Sequence, residues 1–362
     1  MQETRLPAPV ETAITAVRGR LTSPALIEQL ATLATGYTPN PEKEVEEPTY
    51  YDYPAMNEPT WHWEIIWYFF FGGLAAGCYL IATVASFFGS KEDRATVRAG
   101  YYLSLLALLP CPILLIKDLG RPERFLHMLR VFKVKSPMSM GTWGLTTFSL
   151  FSGLMAVLQA AHDGLLGNWW GTDCLKALPR KLIALPGVFF GLFLGSYTGV
   201  LLAATSVPVW SRSKLLGALF ASSATSTSTA LISLVLRIFG APASALRKLE
   251  RLEWVATLLE MTWLFSFLRG SSRAGRALAG AGQGEQGPAF WNLVVGSGLL
   301  IPWLLTTLTL LQGGKKHTGR GLLTSLLVLI GGYFLRRTIV KAGHTSSRDS
   351  HVFLWNAKRE NR

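Results

Sequence analysis

The residues best able to do chemistry are concentrated in one stretch, 110–144, which reads PCPILLIKDLGRPERFLHMLRVFKVKSPMSMGTWG. It leaves one apolar run, crosses a short polar segment and enters the next. Lys117, Asp118, Arg121, Glu123 and Arg124 open the segment, and Arg130, Lys133 and Lys135 follow. Charge at the edge of a bilayer persists when it is paired, hydrated or used. Three readings fit. The Lys and Arg residues can simply set topology. Asp118 can form a structural ion pair with Arg121 or Arg124. Asp118 can also exchange protons with a molecule held between the helices, with the arginines stabilising charge on it.

Other candidates sit in the neighbouring apolar runs. Glu64 and Tyr68 are four residues apart and so share one helix face, just after Trp61 and His62. Tyr197 and Glu260 each interrupt an otherwise apolar segment. Each has a plainer role open to it. Glu64 can be solvated at the headgroup level, and His62 between two tryptophans can belong to an interfacial aromatic belt. Tyr197 can be a buried tyrosine satisfied by a backbone carbonyl. Glu260 lies deeper, where an ionisable group points to function by default.

Positioning these groups requires membrane-spanning helices. The chain has 362 residues, of which 49% are hydrophobic and only 16% charged, against about 25% charged in soluble proteins. The pattern predicts an all-α polytopic membrane protein with eight transmembrane helices in a bundle. The spans fall at about 61–88, 95–116, 139–161, 181–210, 215–238, 250–268, 290–312 and 321–341. Pro110 and Pro112 should kink or break the second. Gly73 and Gly77 in the first, and the ladder Gly187, Gly191, Gly195 and Gly199 in the fourth, predict close helix contacts. Tyr197 projects away from that ladder. The hydroxyl run SSATSTST in the fifth is explained by bonds to its own helix carbonyls.

Outside this membrane domain, 61–341, lie a polar N-terminal extension, 1–60, and a basic C-terminal tail, 342–362. The extension carries Glu42, Glu44, Glu46 and Glu47, and 14–33 reads as a short amphipathic helix. Tyr50, Tyr51, Tyr53 and Pro54 lead into the aromatic belt. No basic-then-apolar secretion signal precedes the first span, which is therefore expected to direct insertion. The net charge of +13 sits in loops and tail, where topology and membrane lipid explain it and nucleic acid need not be invoked. Eight spans put both termini on one face, and the Lys/Arg balance places that face in the cytoplasm. Trp61, His62, Glu64, Tyr68, Asp118 and the start of the third span all converge there, with Tyr197 and Glu260 somewhat deeper.

The cofactor chemistry is narrowed by what the pattern lacks. Cys78, Cys111 and Cys174 form no CxxC pair, so no metal or iron–sulfur site is expected in this chain. His62, His127, His162, His317, His344 and His351 fall at span ends, in loops or in the tail, so no haem is expected. Aromatic walls, a tyrosine hydroxyl, acids and arginines open near one membrane face suit a flat lipophilic ligand with carbonyls at its head. A quinone of the menaquinone or ubiquinone type has that shape and exchanges protons on reduction.

Four segments carry a resemblance: WHWEIIWYFFFGGLAAG at 61–77, DLGRPERF at 118–125, KSPMSMGTWG at 135–144 and SYTGVLLAATSVPVW at 196–210. In order and position they resemble the NrfD/PsrC family of polysulfide reductase membrane subunits. The resemblance implies a haem-free, quinone-binding subunit in a bacterial plasma membrane. Such subunits pair with a ferredoxin-like iron–sulfur subunit and often a molybdopterin catalytic subunit, or sit in alternative complex III. The family's helix-four tyrosine near the quinone corresponds to Tyr197. Positions where some members offer Asn and His are here Ile65 and Tyr68. The basic loop with Arg121, Arg124, Arg130, Lys133 and Lys135 would face the iron–sulfur partner. A transporter or proton channel using the same acids, or a passive anchor, are the rival classes.

Overall fold

Long apolar runs separated by short Gly- and Pro-rich turns leave the backbone one way to satisfy its polar groups in lipid, which is to form helices. The computed structural model describes residues 23–36, 59–167, 169–211, 213, 215–279, 286–312 and 318–348. All its regular elements are helical. They are α1 (Pro24–Thr35), α2 (Trp63–Phe88), α3 (Arg94–Leu108), α4 (Pro110–Asp118), α5 (Phe125–Arg130) and α6 (Pro137–His162). After these come α7 (Trp170–Ala177), α8 (Arg180–Ala203), α9 (Leu215–Ile238) and α10 (Ala243–Ala279). The next, α11, runs through Gln286–Ala289, the π-helical Phe290–Leu300 and Ile301–Leu311, and α12 is Thr318–Arg348.

Among the described residues, seven helices are long and apolar enough to cross a membrane, with α3 and α4 counted as one. The protein is a multi-pass membrane protein. The remaining expected span falls within α10, which at 37 residues is longer than the roughly 20 needed. Its acids and bases keep its mean hydropathy below the others. It packs along α9 inside the same bundle.

The hub is α9, which contacts α2, α8, α10 and α12. Its hydroxyl run divides in two. Thr225, Thr227 and Thr229 bond carbonyls of their own helix, as expected. Ser228 instead reaches the Leu74 carbonyl of α2 at 3.0 Å, and Ser226, also within 3.1 Å of Ser223 O on its own helix, reaches Glu260 of α10 at 2.6 Å. Close approach to α2 depends on Gly77, where a Cβ would lie 2.6 Å from the Ala224 carbonyl oxygen.

Pro110 and Pro112 interrupt the helix at Leu109, as expected, so that α3 and α4 are separate helices within one span; Leu109 keeps right-handed torsions, and its N–H bonds Leu105 O at 3.1 Å. Two expectations are corrected. The fourth span stops at Ala203 rather than 210, and Trp210 is then buried with its indole N–H on Ile339 O at 2.8 Å. The last helix continues past 341 to Arg348. In the N-terminal extension, Ser23 caps α1, which packs on α10 with Glu28 paired to Arg276. Glu42, Glu44, Glu46, Glu47, Tyr50, Tyr51, Tyr53 and Pro54 lie outside the described residues, as do His317, His351 and most of the basic tail.

Candidate functional site

Two buried polar clusters emerge, one in each half of the bundle. The first is built where α2 begins, α4 ends, α6 begins and α8 ends. Helical spacing puts Glu64 and Tyr68 one turn apart on α2. Tyr68 is 3% exposed and lies within electrostatic reach of Cys111 on α4 and Tyr197 on α8. Among the described residues its hydroxyl has no hydrogen-bond partner. The Tyr197 hydroxyl donates to the Pro137 carbonyl at the start of α6, and its ring stacks on Phe193 at 4.9 Å. The ring fits because residue 141 is glycine: a Cβ there would sit 2.5 Å from the Tyr197 ring.

Nearer the membrane boundary, Glu64 pairs with Lys117 at 3.6 Å, and Lys117 lies over the Trp63 ring at 4.2 Å. Asp118 is partly buried within electrostatic reach of Glu64 and His62. It forms no ion pair with Arg121 or Arg124 among the described residues. The reason is local. Gly120 takes a left-handed φ of 64°, which turns the chain outward right after α4.

Trp61 stacks on Trp210 at 5.4 Å, and its carbonyl is 2.9 Å from His344 Nε2. The exposed His62 ring stacks on His344 at 6.4 Å. The start of α2 is thus held by the end of α12. Beyond α4, Arg121, Arg124, Arg130, Lys133 and Lys135 are all exposed. They share their surface with Leu126, Phe132 and Val134, which are 70%, 54% and 69% exposed. Among the described residues, no three His, Cys, Asp or Glu side chains gather as metal ligands would.

Glu260 belongs to the second cluster, away from Tyr68. Its carboxylate accepts from Ser226 and lies in reach of Arg336 on α12. Arg336 is 1% exposed and donates to Phe69 O at 3.1 Å, Gly332 O at 2.7 Å and Ser223 Oγ at 3.0 Å. It also lies 5.6 Å from the Phe220 ring. Further along the α9–α10 seam, Arg237 pairs with Glu250 at 2.6 Å. There, buried Glu253 leaves Oε1 without a partner among the described residues. Sequence reasoning misses Arg336, Arg237 and Glu253. The signal that could have found the two arginines is charge inside otherwise apolar runs, FLRRTIV and LVLRIF.

The family model described as "Polysulphide reductase, NrfD" matches residues 52–346. A polysulfide reductase chain of Wolinella succinogenes is 28% identical, over 80% of this protein and 96% of its own length. A protein NrfD homolog of Haemophilus influenzae is 26% identical, over 81% of this protein and 98% of its own length. A selenate reductase subunit of Mesobacillus selenatarsenatis is 27% identical over 25% of this protein and 21% of its own length.

Proposed function

The chain belongs to the polysulphide reductase NrfD family, and from that premise we propose that it is the quinone-binding membrane subunit of a reductase complex in the bacterial plasma membrane. It exchanges electrons between the quinone pool and a ferredoxin-like iron–sulfur subunit, which joins it to a molybdopterin catalytic subunit. Relatives named as parts of a polysulfide reductase and a selenate reductase support this setting.

The observation that carries the quinone reading is the Tyr68 hydroxyl, on a side chain 3% exposed beside Tyr197 and without a protein partner among the described residues. A buried tyrosine normally finds one, and a hydroxyl left unbonded favours a ligand that completes its bond. Quinone, when bound, supplies two-electron, two-proton redox chemistry. Tyr68 donates to a carbonyl at its head. Tyr197 assists by exchanging its bond to the Pro137 carbonyl. Trp61, His62 and Arg121 stand at the entrance, and Arg121 adds positive charge there. Asp118 and Glu64 pass protons between the boundary and the head, within reach of His62. Glu260 belongs to a deeper proton route. Arg124, Arg130, Lys133 and Lys135, with Leu126, Phe132 and Val134 among them, form the surface on which the iron–sulfur subunit docks.

The test is to purify the complex, assay its iron, and follow quinone turnover with Tyr68, Tyr197 and Asp118 replaced together. Loss of turnover in an iron-containing, assembled complex is the expected result; normal turnover would reduce the protein to an anchor. A second reading, ion translocation without quinone chemistry, is favoured by Glu253, whose buried Oε1 has no partner among the described residues. Ion flux through vesicles lacking quinone would decide for it.

A further inference from the structure

A second opening lies at the far end of the first four spans, away from Tyr68. It is a cleft of about 780 Å³ between the end of α2, the start of α3, the end of α6 and the start of α8. Lys91, Arg94, Arg98 and Arg180 line it, and Asp163 is the one carboxylate among its lining residues.

That carboxylate is already committed. Asp163 accepts from Tyr102 at 2.7 Å, from Gln159 at 3.1 Å and from Arg98 Nε at 3.0 Å. Gln159 also accepts from Arg180, which ties the floor of the cleft into one network. The other cations have no such partner. Among the described residues Lys91, Arg94 and Arg180 form no ion pair, and Arg180 Nε is buried without any hydrogen bond. Three unmatched cations around one concave site call for an anion.

The surroundings say which kind. The cleft sits where four spans end, at headgroup depth. Apolar Ala85, Ala95 and Val97 line it beside the cations, and Phe88, one residue before the lining Gly89, is 86% exposed, as a side chain facing lipid tails is. A volume of this size accommodates a small polar group with its linker, and basic pockets between transmembrane helices bind phosphate-bearing lipid heads. A free phosphate would satisfy the cations but would make no use of the apolar rim.

We propose that this cleft binds the headgroup of an anionic phospholipid, with its phosphate between Lys91, Arg94 and Arg180 and its acyl chains running past Val97 and the exposed Phe88. A choline headgroup would bring its ammonium against the same cations and bind less well.

The test uses the full-length protein purified in detergent, with retained lipid counted by native mass spectrometry after adding phosphatidylglycerol or phosphatidylcholine vesicles. The wild-type protein should retain phosphatidylglycerol selectively. Lys91→Gln with Arg94→Gln removes two exposed charges without touching the core. It should weaken that retention by roughly tenfold or more, with helical content and elution unchanged. Arg180→Gln should act in the same direction. Equal retention of both lipids by the wild type, or undiminished retention in the double variant, would overturn the proposal. Binding of inorganic phosphate without any preference for phosphatidylglycerol would make a free anion the occupant and would overturn it too.

Discussion

Tyr68 and Glu260 are each 3% exposed, yet their polar atoms meet opposite fates. Glu260 is held by Ser226 and faces Arg336, which itself makes three further hydrogen bonds to Phe69, Gly332 and Ser223. Tyr68, at the meeting point of α2, α4 and α8, has a hydroxyl with no protein partner among the described residues. Burial alone therefore does not distinguish the two groups. What differs between them is whether the protein completes their hydrogen bonds. A satisfied network fixes how helices pack, whereas an unfinished one leaves a place for a guest.

This contrast is broken most severely at Arg336. Replacing it with Met leaves Glu260 facing an apolar wall, and losing one member of a buried charged set costs about 3–5 kcal/mol. Thermal midpoint and folded yield should both fall. The double replacement Arg336→Met with Glu260→Met should recover much of the loss, because no lone charge remains. A single Arg336→Met protein as stable as the wild type would show that the cluster does not hold the second half together.

The next largest effect separates the two tyrosines. Tyr68→Phe removes a hydroxyl that bonds nothing in the described protein, so stability should be unchanged while quinone affinity drops by about tenfold, the worth of one hydrogen bond of ~1 kcal/mol or a little more. Tyr197→Phe removes the bond to the Pro137 carbonyl, so it should lower stability by about 1 kcal/mol and affect turnover less than Tyr68→Phe does. Chemical unfolding in detergent beside a turnover assay reads both. The reverse order would exchange their roles.

Smallest are the loop charges. Each replacement of Arg124, Arg130, Lys133 or Lys135 by Gln should weaken docking of the iron–sulfur subunit by at most ~1 kcal/mol. The effect should fade as salt is raised. A loss of docking insensitive to salt would place the weight on Leu126, Phe132 and Val134 instead.

Most of the bundle was readable in the sequence, because span-length apolar runs have few ways to fold in lipid. Glu260 was readable for the same reason, as an acid where acids are costly. Its partner was not, since Arg336 comes 76 residues later by simple subtraction of the two positions. Nor does the doublet Arg336–Arg337 say which member turns inward; only Arg336 is buried. The Asp118–arginine pairing looked natural from neighbours in the chain, but the left-handed turn at Gly120 removes it. The missing partner of Tyr68 is a property of three helices meeting, and no local spacing encodes it.

The most direct measurement is photolabelling of the assembled complex with a photoreactive quinone analogue, with the attachment sites mapped by mass spectrometry. Label on α2 and α8 around Tyr68 and Tyr197, suppressed by Tyr68→Phe and indifferent to Glu260→Gln, is the predicted result. Label concentrated on α9 and α10 around Glu260, with the Tyr68→Phe protein labelled as fully as the wild type, would contradict it.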